Sequence, residues 1–295
     1  MEQDLRALLD SLTVPAIVAP MTHVSGPELV AAACLAGVIG SFPAHNARSS
    51  AELDEWLTNI EFLRQRDIAS GGRPAPVALN LVMRLKSRLE GDVEMAIKHR
   101  LPLVIASVGS PREIVPSLHA AGTLVFADVA SMHHVEKCLE SGADGLVLLT
   151  AGAGGNTGWA NPLAFVRAVR AIYDGPIVLA GGVSDGVSLR AAITLGCDLA
   201  FMGTLFIATD ESRADESYKT ALVESNLDRV VAILGPEGLT ANMLRDSSWT
   251  AGHTVSGVRR VQSVASLVAQ LKHEWDSSAP VCSAGKLPHT CEYSA

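Results

Sequence analysis

Residues 176–204 read PIVLAGGVSDGVSLRAAITLGCDLAFMGT and contain two strand signals, one helix signal and two glycine turns. The apolar runs Pro176–Gly181 and Leu199–Gly203 have the composition of strands covered on both faces. Between them, Ser184 is the predicted N-cap and Gly196 the predicted C′ residue of a helix. A strand, a crossover helix and a second strand form the unit of a parallel sheet. This stretch therefore predicts a βαβ unit.

The same alternation extends back along the chain to residue 16. Each short apolar run precedes a segment with apolar residues at helical spacing, which predicts repeated βα units. Eight strands fit a (β/α)₈ TIM barrel of the α/β class better than an open sheet of about five or six strands. The predicted strands are Ala16–Pro20, Val38–Pro43, Pro76–Leu81, Leu101–Val108, Thr123–Val129, Gly145–Thr150, Pro176–Gly181 and Leu199–Gly203.

The chain is predicted to consist of a barrel and two smaller parts. Residues 1–225 form the barrel in this interpretation, and residues 226–275 form a helical cap or substrate region. The stretch VSGVRRVQSVASLVAQLKHEW in that region offers an apolar helical face for packing on the barrel or on a second subunit. The sequence is therefore compatible with a homo-oligomer. Residues 276–295 lack periodicity and are rich in Ser, Pro and Gly, which predicts a disordered tail.

Composition excludes several classes of partner. With a net charge of −8 and a pI near 5.6, the chain has no basic excess for nucleic acid. No apolar run reaches the roughly 18 residues of a membrane span, and the start MEQDLRALLD is unlike a signal peptide, so we expect a cytoplasmic protein without a membrane partner. Five cysteines without paired spacing argue against a structural zinc or disulfides.

Two glycine turns follow the last two predicted strands, where such barrels commonly hold phosphate. They read LAGGVSDG and FMGTLF. Glycines let main-chain N–H groups approach an anion, and a following helix N-terminus adds a partial positive charge. Either turn alone is equally well explained as a simple change of chain direction, but the pair favours a phosphate-bearing ligand. The candidate residues are Gly181, Gly182, Met202, Gly203 and Thr204.

The loop after the sixth strand, Thr150–Pro162, reads TAGAGGNTGWANP. It resembles a dinucleotide fingerprint, but Thr157 stands where the third glycine is required. We expect this loop to pass close to a flat ring system instead, with Asn156 and Thr157 as hydrogen-bonding groups.

Few side chains at the predicted strand ends are equipped for acid–base chemistry. There is no lysine for a Schiff base and no pair of carboxylates. Asp128 is the strand-end acid, and His23 and His45 are candidate bases. This set favours a cofactor that supplies its own reactivity.

Four segments resemble the nitronate monooxygenase family in order and spacing, over roughly residues 14–225. They read PAIVAPMTHVSGPELVAAACLAGVIGSFPA, PVALNL, GADGLVLLTAGAGGNTG and IVLAGGVSDGVSLRAAITLGCDLAFMGTLFIATDES. The resemblance implies an FMN-containing TIM barrel with a smaller helical substrate domain. It also implies oxidation of alkyl nitronates by molecular oxygen.

The same resemblance assigns residues to the cofactor. Met21 would meet the flavin through its main chain, and Asn80 would hydrogen-bond it. The other implied contacts are Gly154 and Gly155 along the ring, and Gly182, Gly203 and Thr204 at the phosphate. The predicted FMN site is completed by Gly181, Met202 and Asp128.

Three positions depart from the family pattern. A histidine is replaced by Asn156, a strand-five lysine by Asp128 and a glutamine by Leu149. Asparagine cannot accept a proton, so the 10²- to 10⁴-fold contribution typical of a general base is absent there. We therefore expect Asn156 to donate a hydrogen bond to the substrate, with His23 as a candidate substitute base, and activity on nitronates rather than on neutral nitroalkanes.

Three other functions are also compatible with the sequence. A flavin-dependent reductase of the enoyl-acyl carrier protein reductase type would be bleached rapidly by NADPH without oxygen. A non-catalytic FMN-binding protein would be yellow but would stay oxidised with every donor. A phosphosugar isomerase, suggested by the phosphate turns alone, would be colourless.

Overall fold

The computed structural model describes residues 8–235 and 238–278. Eight parallel strands form its main sheet, and a short strand, β7 (Gly155–Asn156), lies outside it. The eight are β1 (Ala16–Val18), β2 (Gly40–Pro43), β3 (Val77–Val82), β4 (Leu103–Ser107), β5 (Leu124–Val129), β6 (Gly145–Leu149), β8 (Ile177–Ala180) and β9 (Leu199–Met202). Their order around the sheet is β1-β9-β8-β6-β5-β4-β3-β2.

The sheet closes into a barrel between β1 and the residues that lead into β2. Val18 N–H donates to the Ile39 carbonyl at 2.8 Å, and Ile39 N–H donates to the Ala16 carbonyl at 3.1 Å. All eight predicted strands are confirmed, with ends shifted by at most two residues. The predicted TIM barrel is therefore confirmed.

Helices alternate with the strands and cover the outside of the barrel. Those of the barrel are α1 (Pro27–Leu35), α2 (Ser50–Ala69), α3 (Lys86–Lys98), α4 (Val115–Ala120), α5 (Met132–Glu140), α6 (Pro162–Arg170) and α7 (Gly186–Leu195). They are followed by α8 (Thr204–Ile207), α9 (Glu216–Val223) and α10 (Val264–Ser277).

Helix α7 shows how local sequence sets these boundaries. The N-cap is Asp185, one residue after the predicted Ser184, because the Asp185 carboxylate accepts from Ser188 N–H at 2.7 Å while the Ser188 hydroxyl caps in return. The predicted C-terminal Gly196 is confirmed, with φ of 116°.

The core has an inner and an outer layer. Inside the barrel, side chains such as Ile17, Phe126 and Val147 are fully buried and fill the space between the strands. Alternate residues of the same strands point outward and pack against the helices, for example Ala127 and Val129 of β5. The barrel interior is thus a packed core, and open space is left at one end.

The region after the barrel contains an antiparallel pair of strands that sequence reasoning did not predict. These are β10 (Val230–Leu234) and β11 (Thr240–Leu244), and β11 also pairs with β7. Residues 226–275 are predicted as a helical cap or substrate region, and the pair departs from that prediction because VVAIL and TANML gain their hydrogen bonds from each other rather than along a helix.

Helix α10 confirms the helical part of that region. Its apolar residues, including Leu267 and Leu271, are buried in the outer core, and the helix packs against α7 and α1. The apolar face is therefore used within the chain, on the barrel. The predicted disordered tail, residues 276–295, falls from residue 279 onward outside the described residues. Within the described ranges, no helix combines the length and hydropathy needed to cross a membrane.

Candidate active site at the carboxyl ends of the barrel strands

A cavity of about 760 Å³ opens at the carboxyl ends of the strands. Its size is in the range of small-molecule and cofactor sites. The predicted site residues that line it are Met21, His23, Asn80, Asp128, Gly154, Gly155, Asn156, Gly181, Gly182, Gly203 and Thr204. The structure thus brings eleven of the twelve predicted residues together.

Met202 is the exception. Its side chain is 2% exposed and lies in the outer layer between strand and helix, while Phe201, the residue before it, lines the cavity. Side chains alternate across a strand, so only one of these two neighbours can face inward. The Met202 carbonyl accepts from Ala19 N–H at 3.1 Å, which is a structural role. The prediction that Met202 binds a cofactor is not supported.

The ends of β8 and β9 form a cradle of main-chain atoms, defined by Gly182, Gly203 and Thr204. Gly182 has φ of 82°, and a Cβ placed there would meet no atom within 4 Å, so it would project into open space. Among the described residues, the N–H groups of these three residues donate to no protein acceptor. The Thr204 hydroxyl accepts from Gly252 N–H at 2.9 Å. Main-chain N–H groups without a protein acceptor at the edge of a cavity are suited to an anion.

The helix after β8 does not add its N-terminus to this cradle, contrary to expectation. Gly186 N–H donates to Glu274 Oε2 of α10 at 2.9 Å, and Ser188 N–H donates to Asp185. The carboxylates of Glu274 and Asp185 already accept hydrogen bonds from N–H groups at the helix N-terminus and compensate its partial positive charge. Any anion at the cradle is therefore bound by the turns themselves.

The glycine-rich loop after β6 is fixed by a residue of the cap. The buried Asn242 of β11 donates through Nδ2 to the Ala151 carbonyl at 2.8 Å and to the Ala153 carbonyl at 2.7 Å. Gly154 lies so close to the segment 251–252 that a Cβ would come within 2.7 Å of Gly252 N. The loop therefore has a fixed shape that depends on residues far away in the chain.

Thr157 has a structural role in this loop. Its hydroxyl donates to the Thr150 carbonyl at 2.7 Å and so joins the two ends of the loop. It does not line the cavity. The expectation that Thr157 hydrogen-bonds a ring is wrong, because its donor is already used.

Asn156 lies exposed at the mouth, in the short strand β7. Its neighbour in the ladder is Ala241 of β11, which also lines the cavity. The cap hairpin thus positions Asn156 at the mouth, where its amide is available to a ligand.

The mouth segment 21–25 is held by Asn46. Its Nδ2 donates to the Met21 carbonyl at 2.9 Å, and its Oδ1 accepts from His23 N–H at 3.0 Å. Met21 N–H donates to the Ser25 hydroxyl at 3.1 Å. The main chain of Met21 is therefore already paired, and the implied main-chain contact with a flavin is not supported; its side chain lines the cavity.

The two candidate bases stand at this edge of the cavity. His23 has the left-handed φ of 64°, an uncommon conformation that Asn46 helps to hold. His45 Nε2 lies 3.1 Å from the Thr22 hydroxyl. Partial burial, followed by the charge of Arg88, lowers the pKa of His45. Both histidines are close enough to the mouth to meet a substrate.

Polar side chains at the ends of β3, β4 and β5 form the floor of the cavity. Asn80 Nδ2 donates to the Ile105 carbonyl at 2.9 Å and to the Ser107 hydroxyl at 3.0 Å. Asp128 contributes the one described buried side-chain oxygen, Oδ1, that has no hydrogen-bond partner. Burial raises the pKa of Asp128 to about 7.

An aromatic wall that sequence reasoning missed comes from the segment after the barrel. Tyr218 and Trp249 both line the cavity, with ring centroids 5.3 Å apart and planes inclined by 7°. The Tyr218 hydroxyl donates to the Thr250 carbonyl at 2.5 Å. No local motif marks either residue, because they meet only in the folded chain. Trp159, in the loop after β6, is 84% exposed and does not line the cavity.

Arg213 places a cation at the same mouth. Its guanidinium lies 4.5 Å from the Trp56 ring centroid, and its Nε is 3.3 Å from Glu28 Oε2. A Cβ on Gly26 would come within 2.2 Å of that Nε, so the glycine leaves room for the side chain. Within the described part of the chain, no cluster of His, Cys, Asp and Glu has the arrangement of a metal site.

Comparison with known proteins gives one family and several relatives. The family model for nitronate monooxygenase matches residues 6–247. A nitronate monooxygenase of Pseudomonas aeruginosa is 30% identical over 269 residues, which cover 78% of this chain and 76% of that protein. FabK of Thermotoga maritima superposes with a TM-score of 0.81 at 22% identity, covering 93% of this chain and 96% of that one.

A further relative has a different name. The (3aS,4S,5R,7aS)-5-hydroxy-7a-methyl-1-oxo-octahydro-1H-indene-4-carboxyl-CoA dehydrogenase of Rhodococcus jostii is 26% identical over 234 residues, which cover 78% of this chain. The match spans 62% of the length of that relative.

Proposed function

Because the chain belongs to the nitronate monooxygenase family, a family of flavin oxidoreductases, we propose that it binds FMN and oxidises alkyl nitronates or similar anionic carbon acids with molecular oxygen. The observation that carries this proposal is the cradle of Gly182, Gly203 and Thr204 at one side of a cavity large enough for a cofactor and a small substrate.

The cradle fits the phosphate of FMN. Its N–H groups have no acceptor among the described residues, and a side chain at Gly182 would fill the space that the phosphate needs. The Thr204 hydroxyl, while accepting from Gly252, keeps its own proton to donate. With three main-chain donors and this hydroxyl, the chain offers a dianion four hydrogen-bond donors.

The rest of the cavity fits the flavin ring. The glycine-rich loop presents Gly154 and Gly155 with no side chains to obstruct a flat ligand, and the floor presents Asn80 and Asp128. FMN, when bound, supplies the electron-accepting chemistry that these side chains lack. The chain's own residues bind and orient the substrate and limit the access of water.

The substrate lies, in this proposal, between the ring position and the aromatic wall. Tyr218 and Trp249 offer an apolar surface to the alkyl part, and the amide of Asn156 donates a hydrogen bond to the anionic oxygens. Arg213 attracts an anion to the mouth. A nitronate is already an anion, so no base is required at Asn156.

The test is anaerobic titration of the FMN-loaded protein. A nitronate is expected to bleach the flavin absorbance, and oxygen is expected to restore it with consumption of the nitronate. NADPH is expected to bleach it slowly or not at all. Rapid bleaching by NADPH alone would instead assign a reductase, and a protein that cannot be loaded with FMN would overturn the proposal.

A further inference from the structure

Asp128 stands at the end of β5 with one oxygen that no described protein group satisfies. Its Oδ1 is buried without a hydrogen-bond partner, although the residue lines the cavity. Two other polar side chains of the floor hydrogen-bond with each other, since Asn80 donates to the Ser107 hydroxyl. A buried polar atom without a partner costs about 1–3 kcal/mol, so its retention indicates a partner supplied by a ligand.

The position of β5 indicates which part of the ligand that is. Around the barrel, β5 lies three strands from β9, which carries Gly203 of the cradle. A molecule whose phosphate is bound at the cradle could extend through the same cavity to Asp128, which also lines it. For FMN, the ring would be the part near Asp128, and its N–H and carbonyl groups could pair with a carboxyl group.

No cation faces Asp128 from the elements packed around β5. Strands β4 and β6 contain no titratable residue. On α4, His119 pairs with Asp144 at 2.8 Å, and on α5 the residue that interacts with Asp128 is Cys138, a neutral thiol whose pKa is raised to about 11. The remaining ionisable residues of α5 are exposed on its outer side: His133, His134, Glu136, Lys137 and Glu140. Across the cavity stand His23, His45, Arg213 and Asp215.

We propose that Asp128 is a proton acceptor coupled to the reduction of bound FMN. At pH values above about 7, the carboxylate would be ionised beside the oxidised ring. When two electrons pass from the substrate to the ring, Asp128 takes up one proton from solvent, which compensates one unit of the added negative charge. This inference rests on the proposed function, because it requires FMN in the cavity.

The burial of Asp128 suits this role. A carboxyl group whose pKa is raised by burial to about 7 changes its charge in response to a single added charge nearby.

The experiment is a redox titration of the FMN-loaded protein from pH 7 to 9, where Asp128 would be ionised before reduction, with potentials read from the flavin absorbance. It compares the wild type with Asp128→Asn, Asp128→Glu and the control Asp10→Asn, which removes an exposed carboxylate outside the cavity. One additional proton per two electrons steepens the dependence of potential on pH by about 30 mV per unit, since a tenfold change for two electrons corresponds to 29.6 mV.

We expect this additional slope in the wild type, in Asp10→Asn and in Asp128→Glu, and its loss in Asp128→Asn. Parallel pH dependences in the wild type and Asp128→Asn would overturn the inference. If Asp128→Asn does not fold or load, Asp128→Ser gives the second neutral variant for the same comparison. A wild type that binds FMN and is reduced by a nitronate, but shows no difference in slope, refutes the role of Asp128 alone. A wild type that does not bind FMN refutes the proposed function as well.

Discussion

Asn242 Nδ2 donates to the Ala153 carbonyl at 2.7 Å and thereby ties the hairpin after the barrel to the glycine-rich loop. The two residues are 89 positions apart in the chain, and the donor is 2% exposed. The cap is thus part of the active-site scaffold, because the loop after β6 obtains its shape from β11.

Replacing Asn242 with alanine should therefore weaken both the fold and the proposed FMN site. The change leaves the carbonyls of Ala151 and Ala153 without this donor, which is expected to cost about 2 kcal/mol or more. Urea unfolding and FMN titration measure the two effects. The control is Asn59→Ala on the exposed side of α2, where a change below about 0.5 kcal/mol is expected. Equal effects of the two substitutions would contradict the role of Asn242.

The glycine cradle predicts that Gly182→Ala lowers the affinity for FMN at least tenfold. The added methyl group projects into the space assigned to the phosphate. Gly122→Ala is a matched control, because Gly122 has φ of 79° and equally open surroundings but lies in the turn before β5, at the opposite end of the barrel. Both variants should lose about 1 kcal/mol of stability from the backbone conformation. Only Gly182→Ala should lose FMN, as measured by fluorescence titration.

Asn156 predicts a preference for nitronates over neutral nitroalkanes. The amide cannot remove a proton, so kcat/KM for a pre-formed nitronate should exceed that for the nitroalkane by at least about 10², the smaller contribution of a general base. Asn156→His should raise turnover of the nitroalkane and reduce this ratio. Assays started with each form at a fixed pH measure it. Equal turnover of both forms by the wild type would contradict this prediction and indicate another base. His23 would then be the first candidate base to substitute.

Truncation of the aromatic wall of Tyr218 and Trp249 is expected to weaken substrate binding without changing FMN binding. Trp249→Ala removes a ring that lines the cavity and should raise KM by a factor of about 3 to 10, since the loss of about 25–55 Å² of apolar contact with the substrate costs roughly 0.6–1.4 kcal/mol. The visible spectrum of bound FMN should be unchanged. Trp159→Ala, at an 84% exposed position, should leave both KM and the spectrum as in the wild type.

Asp128 predicts a dependence of stability on pH in the FMN-free protein. Its pKa of about 7 in the folded chain lies above that of an unfolded aspartate, about 3.9, so the folded chain binds more protons between these values. The stability contributed by Asp128 therefore falls as pH rises from about 4 to 7 and is constant above that. Asp128→Asn should gain stability relative to the wild type over the same interval. Urea unfolding at several pH values provides the comparison.

The barrel could be predicted from the sequence because its signals are local. Runs such as GLVLL and IVLA carry their strand preference within a few residues, and the positions after them identify the mouth. The alternation of side chains along β9 would also have excluded Met202, since Phe201 and Met202 face opposite sides.

The remainder of the site depends on contacts that are distant in the chain. The hairpin of β10 and β11 forms because two strands pair with each other and with β7, which no single segment reveals. Asn242 and Trp249 acquire their roles only when that hairpin lies against the loop after β6. Likewise, the partial positive charge at the N-terminus of α7 is not available to the cradle, because the Glu274 carboxylate of α10 accepts a hydrogen bond from the Gly186 N–H there.

The most direct measurement of the central claim is the affinity of the protein for FMN compared with that for riboflavin, which differs from FMN by the phosphate. A cradle of Gly182, Gly203 and Thr204 that binds the phosphate predicts FMN binding at least 100-fold tighter, and the Gly182→Ala variant should lose most of that difference. Equal affinities for the two flavins, or no binding of either, would contradict the claim.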